Sequence, residues 1–159
     1  MDDRLKELIE DFSKYFEDIY HFPPLTSKVY AYLMLDCNSS GVTFDELVEV
    51  LNASKSSVST SLNFLTQLKH IEYYTKIDNR KRFYRISSEN LLVRLKKILD
   101  MLSNEKYLVE RLKTYRLETC EGLPENSILK SDIYLDHLTK SIGQLSQTIE
   151  KLESFHPNT

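Results

Sequence analysis

Glycine and proline are scarce: the 159 residues hold three glycines and four prolines. So few chain-breaking residues leave little room for a turn-rich all-β fold and favour long helices. Cysteine is nearly absent as well. Cys37 and Cys120 stand alone, without the paired spacing of a metal site or a disulfide framework, and a reducing compartment is expected. No apolar run is long enough to cross a bilayer. The N-terminal MDDRLKELIEDF is charged within an amphipathic pattern and does not read as a signal peptide. A cytoplasmic protein without membrane contact is the expectation. Glycine-rich phosphate loops, nucleophile motifs and His/Cys clusters are missing; His21, His70, His137 and His156 are scattered and read as surface or packing residues. Paired acids such as Asp45-Glu46 and Glu17-Asp18 read as helix ends and solvated faces. No enzymatic activity, metal or cofactor is therefore expected.

Positive charge is short overall but not locally. The net charge is −3, yet residues 1–53 carry 4 basic and 11 acidic side chains, residues 54–86 carry 7 and 2, and residues 87–159 carry 10 and 11. A local basic field of this kind attracts phosphate regardless of the overall pI. The plainer alternative is an ordinary solvated surface.

Four helices and a hairpin can be read in order. Leu5, Leu8, Ile9, Phe12, Phe16 and Ile19 recur at helical spacing from Asp2 to His21, and Phe22-Pro23-Pro24 stops that helix. A second helix is expected from about Leu25 to Asp36, followed by the turn cluster Asn38-Ser39-Ser40-Gly41. Thr43 and Glu46 form a capping box before Leu47, Val48 and Leu51. After Asn52-Ala53, Ser54 caps another helix reaching Leu68, with Val58, Leu62 and Leu65 spaced for burial. Its opposite face presents Lys55, Ser56, Ser57, Ser59, Thr60 and Asn63. These small polar groups let a nucleic-acid backbone approach closely and can bond to phosphates and base edges. Two β-prone runs follow, Ile71–Lys76 and Arg82–Ile86, separated by Asp78, Asn79, Arg80 and Lys81. Arg80, Lys81 and Arg82 then sit at or just beyond the tip, where adjacent cations repel unless an anion lies between them. Helix, turn, helix and a basic-tipped hairpin is the order of a winged helix-turn-helix, which delivers one helix to a DNA groove and a loop to the flanking backbone.

The run TFDELVEVLNASKSSVSTSLNFLTQLKHIEYYTKIDNRKRFYRI resembles the DNA-binding core of the MarR superfamily, and within it the GbsR-like branch. Ser54, Lys55, Val58 and Ser59 match its S-K-x-x-V-S pattern, Leu62 and Leu65 its L-x-x-L core, and Arg80, Lys81, Phe83 and Tyr84 its D-R-K-x-Y-Y wing. The likeness covers about 45 residues closely. One departure is His70, where the family usually closes the recognition helix with glycine. A residue with a side chain there either accepts a left-handed conformation or ends the helix differently. The resemblance implies a homodimeric transcriptional regulator that binds double-stranded DNA at a pseudo-palindromic operator, with Lys55, Ser56, Ser57, Ser59, Thr60, Asn63, Asn79, Arg80, Lys81 and Arg82 as DNA contacts. It also implies a small-molecule effector, of cationic type in the GbsR branch. Tyr15, Phe16, Tyr20, Phe22, Tyr30 and Tyr32 offer aromatic faces for such a cation, although helix packing is the simpler reading of those rings.

Two long helices complete the chain. Over 88–115, Leu91, Leu95, Ile98, Leu102, Val109 and Leu112 follow a four/three spacing, and Leu92, Leu99 and Leu108 widen the stripe. From Ser127 to Phe155, Ile128, Leu135, Ile142 and Ile149 alternate with Leu138, Leu145 and Leu152 in a heptad register. The flanking Tyr134, Thr139, Ser141, Ser146 and Thr148 form few charge pairs, which favours a multi-helix bundle over a lone zipper. The fold class expected is mainly α with a small β-hairpin: a winged helix-turn-helix over 22–87 flanked by long dimerisation helices over 1–21 and 88–159. Leu95, Ile98, Leu102, Leu135, Leu138, Ile142, Leu145, Ile149 and Leu152 are the candidate dimerisation residues. The other class of function compatible with this order is a winged-helix adaptor whose basic wing grips an acidic protein. The Ser/Thr/Asn face beside Lys55 argues against it, because protein interfaces favour aromatic and apolar anchors.

Overall fold

The computed structural model describes residues 2–36, 40–77, 79–122 and 124–155. Cys37, the Asn38-Ser39 part of the first turn cluster, Asp78 of the wing turn and His156 lie outside the described residues, as does the side chain of Asn79. The chain forms two compact units, Met1–Asn90 and Leu91–Thr159. The first contains α1 (Asp3–Tyr20), α2 (Pro24–Leu35), β1 (Val42–Thr43), α3 (Phe44–Val50), α4 (Lys55–Gln67), β2 (Ile71–Lys76) and β3 (Asn79–Ile86). The second is built from α5 (Asn90–Thr119), whose first residue belongs to the first unit, and α6 (Glu125–Glu153).

Helix α2 is the centre of the first unit. Thr26, Ser27, Val29, Tyr30, Ala31 and Leu33 are all buried, so it is covered on several sides. Pro24 stands in its first turn, where the missing amide costs nothing. Helix α1 lays Ile9, Ser13 and Phe16 against it and ends on His21 in a left-handed conformation. Leu47 of α3, Val58, Leu62 and Leu65 of α4, Ile71 of β2 and Tyr84 of β3 close the same core. Where α2 meets α4 the side chains are small, and the Thr26 hydroxyl donates to the Ser61 hydroxyl at 3.0 Å. Helix α1, assigned by its sequence to the dimerisation region, thus packs in the same unit as the winged helix.

The expected hairpin is part of a three-stranded antiparallel sheet ordered β1-β3-β2. Strand β1 is two residues long, with Val42 opposite Tyr84 and Thr43 opposite Phe83, too short to show an alternating pattern. Gly41 is required at its start: φ is +64°, and an added Cβ would lie 2.8 Å from the Tyr84 carbonyl oxygen. Strand β3 begins at Asn79, three residues earlier than its apolar run implies. The ladder shifts between Thr75 and Lys76, so that Thr75 faces Arg82 but Lys76 faces Asn79. Arg80 and Lys81 are therefore in a bulge of β3 and not in a loop, and a bulge re-aims the side chains it carries.

Both turns of the helix-turn-helix rest on left-handed residues. Asn52 has φ +47° after α3, and the amides of Asn52 and Ala53 return to the carbonyls of Glu49 and Val48. Lys69 has φ +58° after α4, and the amides of Lys69 and His70 return to Thr66 and Leu65. Each is a Schellman closure. The left-handed position is thus Lys69 and not His70, and a side chain there costs about 1 kcal/mol relative to glycine. His70 instead turns inward and is buried.

In the second unit α5 and α6 run antiparallel, tied by Lys96–Glu153 at 2.6 Å, by Lys113–Asp132 and by the Tyr134 hydroxyl on Glu105. Ile128, Leu135, Leu138, Ile142, Leu145, Ile149 and Leu152 of α6 are half-buried or buried, as are Leu95, Leu99, Leu102 and Val109 of α5. The heptad positions of α6 thus coincide with its less exposed face within this unit. The α5 stripe read from the sequence as one seam divides into two: Leu95, Leu102 and Val109 face inward, while Leu91, Ile98, Leu108 and Leu112 are exposed.

Two stability predictions follow from caps and buried amides. The Thr43 amide and hydroxyl donate to Glu46 Oε2 at 2.7 and 2.6 Å, and the Glu46 amide donates to the Thr43 hydroxyl. Those bonds hold the Glu46 carboxyl below its ordinary pKa of 4.5, with Lys81 adding to the effect. A depressed folded-state pKa stabilises fully above 4.5, and that stability is lost as pH falls through the folded value. Urea unfolding of Thr43→Ala is expected to show a loss of about 1 kcal/mol at neutral pH. The advantage of wild type over Glu46→Gln should shrink below pH 4.5. Separately, Asn90 is 4% exposed; its amide nitrogen donates to the Tyr30 hydroxyl at 2.7 Å and lies 3.0 and 3.1 Å from His70 Nδ1 and the His70 carbonyl. Asn90→Ala removes those buried hydrogen bonds, and a loss of about 1–3 kcal/mol is expected by the same measurement.

Candidate nucleic-acid interface

Helix α4 has one buried and one bare face because of its spacing. Val58, Ser61, Leu62 and Leu65 are buried. Lys55, Ser56, Ser57, Ser59, Thr60 and Asn63 are all exposed. Ser54 caps the helix, its hydroxyl accepting from the Ser57 amide at 3.2 Å and lying 3.1 and 2.8 Å from the Ser56 and Ser57 hydroxyls. Three hydroxyls and a lysine therefore surround a helix N-terminus, where free amides and the helix dipole favour an anion. The Thr60 hydroxyl is turned back onto the Ser56 carbonyl at 3.0 Å, so its methyl is the group left facing outward. One further residue shares this face and escaped the sequence reading. Gln67 is exposed one turn beyond Asn63, and that four-residue spacing was the available signal.

The wing brings its cations to the surface under restraint from its own aromatic rings. Arg80, Lys81 and Arg82 are exposed. The Arg82 guanidinium lies 4.6 Å from the centre of the Tyr73 ring, and Lys76 Nζ lies 4.2 Å from that of Phe83. Arg85 bonds Glu72 at 2.7 Å nearer the body of the sheet. Lys81 reaches Asp45 of α3 at 3.1 Å; both side chains are more than half exposed, so the contact orients the wing more than it stabilises the fold. Among the described residues no ion pair holds Lys55, Arg80 or Arg82. Ile77 at the turn is fully exposed.

Three of the six aromatic rings proposed for a cation are core residues. Phe16, Phe22 and Tyr30 are buried, with Phe16 and Tyr30 centroids 4.5 Å apart and His70 5.2 Å from Tyr30. Phe22 also meets Phe64 of α4 edge-on at 5.6 Å. Tyr15 is exposed. Tyr32 lines a cleft of about 530 Å³ beside Asp36, Glu46, Glu49 and Lys6. Burial raises the Tyr32 pKa, and Asp36 and Glu46 add to the rise.

Fold and exposed face together define a winged helix-turn-helix protein. No protein-family model matches the chain, and no curated protein is similar to it in sequence. Among solved structures, one described as a transcriptional regulator is 17% identical, with a TM-score of 0.60 over 95% of this chain and 99% of that one. A complex of MepR from S. aureus with DNA is 15% identical with a TM-score of 0.44, over 74% of this chain and 96% of that one. MepR from S. aureus bound to ethidium bromide is 17% identical with a TM-score of 0.42, over 87% and 91%. The first is a likeness of fold alone, and the two MepR superpositions are too loose to support an argument.

Proposed function

We propose that this chain is a DNA-binding transcriptional regulator of the MarR type, acting in the cytoplasm as a homodimer on a pseudo-palindromic operator. The observation that carries the reading is the bare α4 face. Six exposed polar or basic side chains, Lys55 to Asn63, stand on a helix whose other side is the core of the unit. The wing beside it, with Arg80, Lys81 and Arg82 exposed, adds a second cationic contact. In this reading Lys55, the Ser54–Ser57 cap and the wing cations hold phosphates, Asn63 reads base edges, and the outward methyl of Thr60 suits a thymine methyl. Two protomers related by a two-fold axis would present their α4 helices one DNA turn apart, about 34 Å. The match of Ser54, Lys55, Val58 and Ser59 to the GbsR-like pattern supports that branch. A response to a cationic small molecule finds its physical support in the cleft of Tyr32, Asp36, Glu46 and Glu49 rather than in the buried rings.

A DNA-selection experiment followed by mobility shift tests the proposal. Binding should weaken steeply with salt. Lys81→Ala/Arg82→Ala should lose affinity by the same factor on selected and unrelated duplexes, and its salt slope should fall by about two. Asn63→Ala should instead lose about 1–3 kcal/mol of discrimination between them. A protein that selects no sequence, shows no salt dependence and captures a stoichiometric protein partner would be an adaptor.

A further inference from the structure

The ridge of α4 that points straight away from the core carries no charge. At 100° per residue, Ser56, Thr60, Asn63 and Gln67 fall within about 60° of one another, diametrically opposite the buried Val58, Ser61, Leu62 and Leu65. All four are exposed. Lys55, the one charged side chain of the helix, lies about 110° around from that ridge, so it flanks the outward line and does not belong to it. A major groove entered by this helix therefore meets a hydroxyl, a methyl and two carboxamides, with the cation to one side.

Base edges discriminate among such groups. In the major groove guanine is read chiefly by Arg or Lys on its O6 and N7, and cytosine by an acid that accepts from its N4 amine. The ridge has neither. Asn and Gln instead pair in bidentate fashion with the N6 amine and N7 of adenine, and a methyl packs on the C5 methyl of thymine. Among the described residues neither Asn63 nor Gln67 has a hydrogen-bond partner for its side chain, so each carboxamide keeps both donor and acceptor for a base. The two residues are about 6 Å apart along the helix axis, close to two base-pair steps of about 3.4 Å. Thr60, one turn before Asn63, has its hydroxyl committed to the Ser56 carbonyl at 3.0 Å, which leaves the methyl outermost. The Ser56 hydroxyl donates or accepts on any base and adds no preference.

We infer that the operator half-site under α4 is built of A·T pairs, with Asn63 and Gln67 each on an adenine and Thr60 on a thymine methyl, and with no guanine read along this ridge. This rests on the DNA-binding reading above and adds to it a base composition and a further specificity-determining residue, Gln67.

Replacement of single atoms in a duplex selected by the full chain tests the assignment. Adenines are exchanged one at a time for 7-deazaadenine, which lacks N7 but keeps its pairing, and thymines one at a time for uracil, which lacks only the methyl. Wild type should bind about fivefold more weakly when either of two adenines in a half-site loses N7. Asn63→Ala should be indifferent to one of those exchanges and Gln67→Ala to the other. Loss of one thymine methyl should weaken wild type and Thr60→Val about fourfold and leave Thr60→Ser unchanged. The altered side chains are all exposed, and circular dichroism checks that each variant keeps its helices. Selected half-sites with G·C pairs under α4, or A·T pairs whose N7 atoms and methyl groups wild type ignores, would overturn this assignment while leaving a sequence-specific regulator standing. Failure to select any sequence would defeat the regulator itself and this assignment with it.

Discussion

The position of the basic helix depends on one buried amide. Asn90 bonds the Tyr30 hydroxyl of α2 in both directions, at 3.0 and 2.7 Å, and reaches the ring and the carbonyl of His70. The His70 carbonyl also accepts from the Ser87 amide at 3.1 Å, and the Asn90 amide donates to Ser87. A single side chain therefore joins the central helix, the residue that closes α4 and the first residue of α5. In a low-dielectric interior such a network tolerates few alternative arrangements, because each unsatisfied member is costly. The imidazole supplies what a glycine at that position would not: a ring for Phe22 and Tyr30 to pack on, and a nitrogen for Asn90 to meet. The backbone strain of ending α4 is borne instead by the exposed Lys69.

Electrostatics complete the arrangement. The acidic first fifty-three residues and the basic stretch after them belong to one compact unit, and Asp45 and Lys81 join the two stretches at 3.1 Å. Asp45 and Glu46 illustrate the economy of this. Glu46 closes the cap of α3 and lines the acidic cleft, while the adjacent Asp45 steadies Lys81 on the bulged wing. A net charge of −3 thus hides a face on which Lys55, Arg80 and Arg82 project toward solvent.

Much of this was legible in the sequence because helices advertise themselves by period and by cap. The Thr43–Glu46 box, the Ser54 cap and the polar face of α4 all follow from side-chain spacing and hydrogen-bonding capacity alone. What was not legible has physical causes too. Strand β1 has two residues and no period to detect, and the bulge at Arg80 and Lys81 is set by pairing with β2 rather than by composition. His70 looked like a conformational problem because the left-handed residue is its neighbour. On α5, Leu91 and Ile98 seemed to share a seam with Leu95 and Leu102, since two stripes about 100° apart merge into one broad apolar band when only spacing is counted. The α6 register was read correctly as a pattern, but a pattern does not state which helix covers it.

The central claim is that α4 and the wing form one surface for a polyanion. Amide chemical-shift mapping with a short duplex of arbitrary sequence in low salt tests it without knowledge of an operator, since non-specific binding rests on phosphate contacts. The expected perturbations gather on Lys55–Gln67 and on the wing from Lys76 to Arg82, and fade as salt is raised. Perturbations that avoid both elements, or a spectrum indifferent to DNA in low salt, would contradict the account.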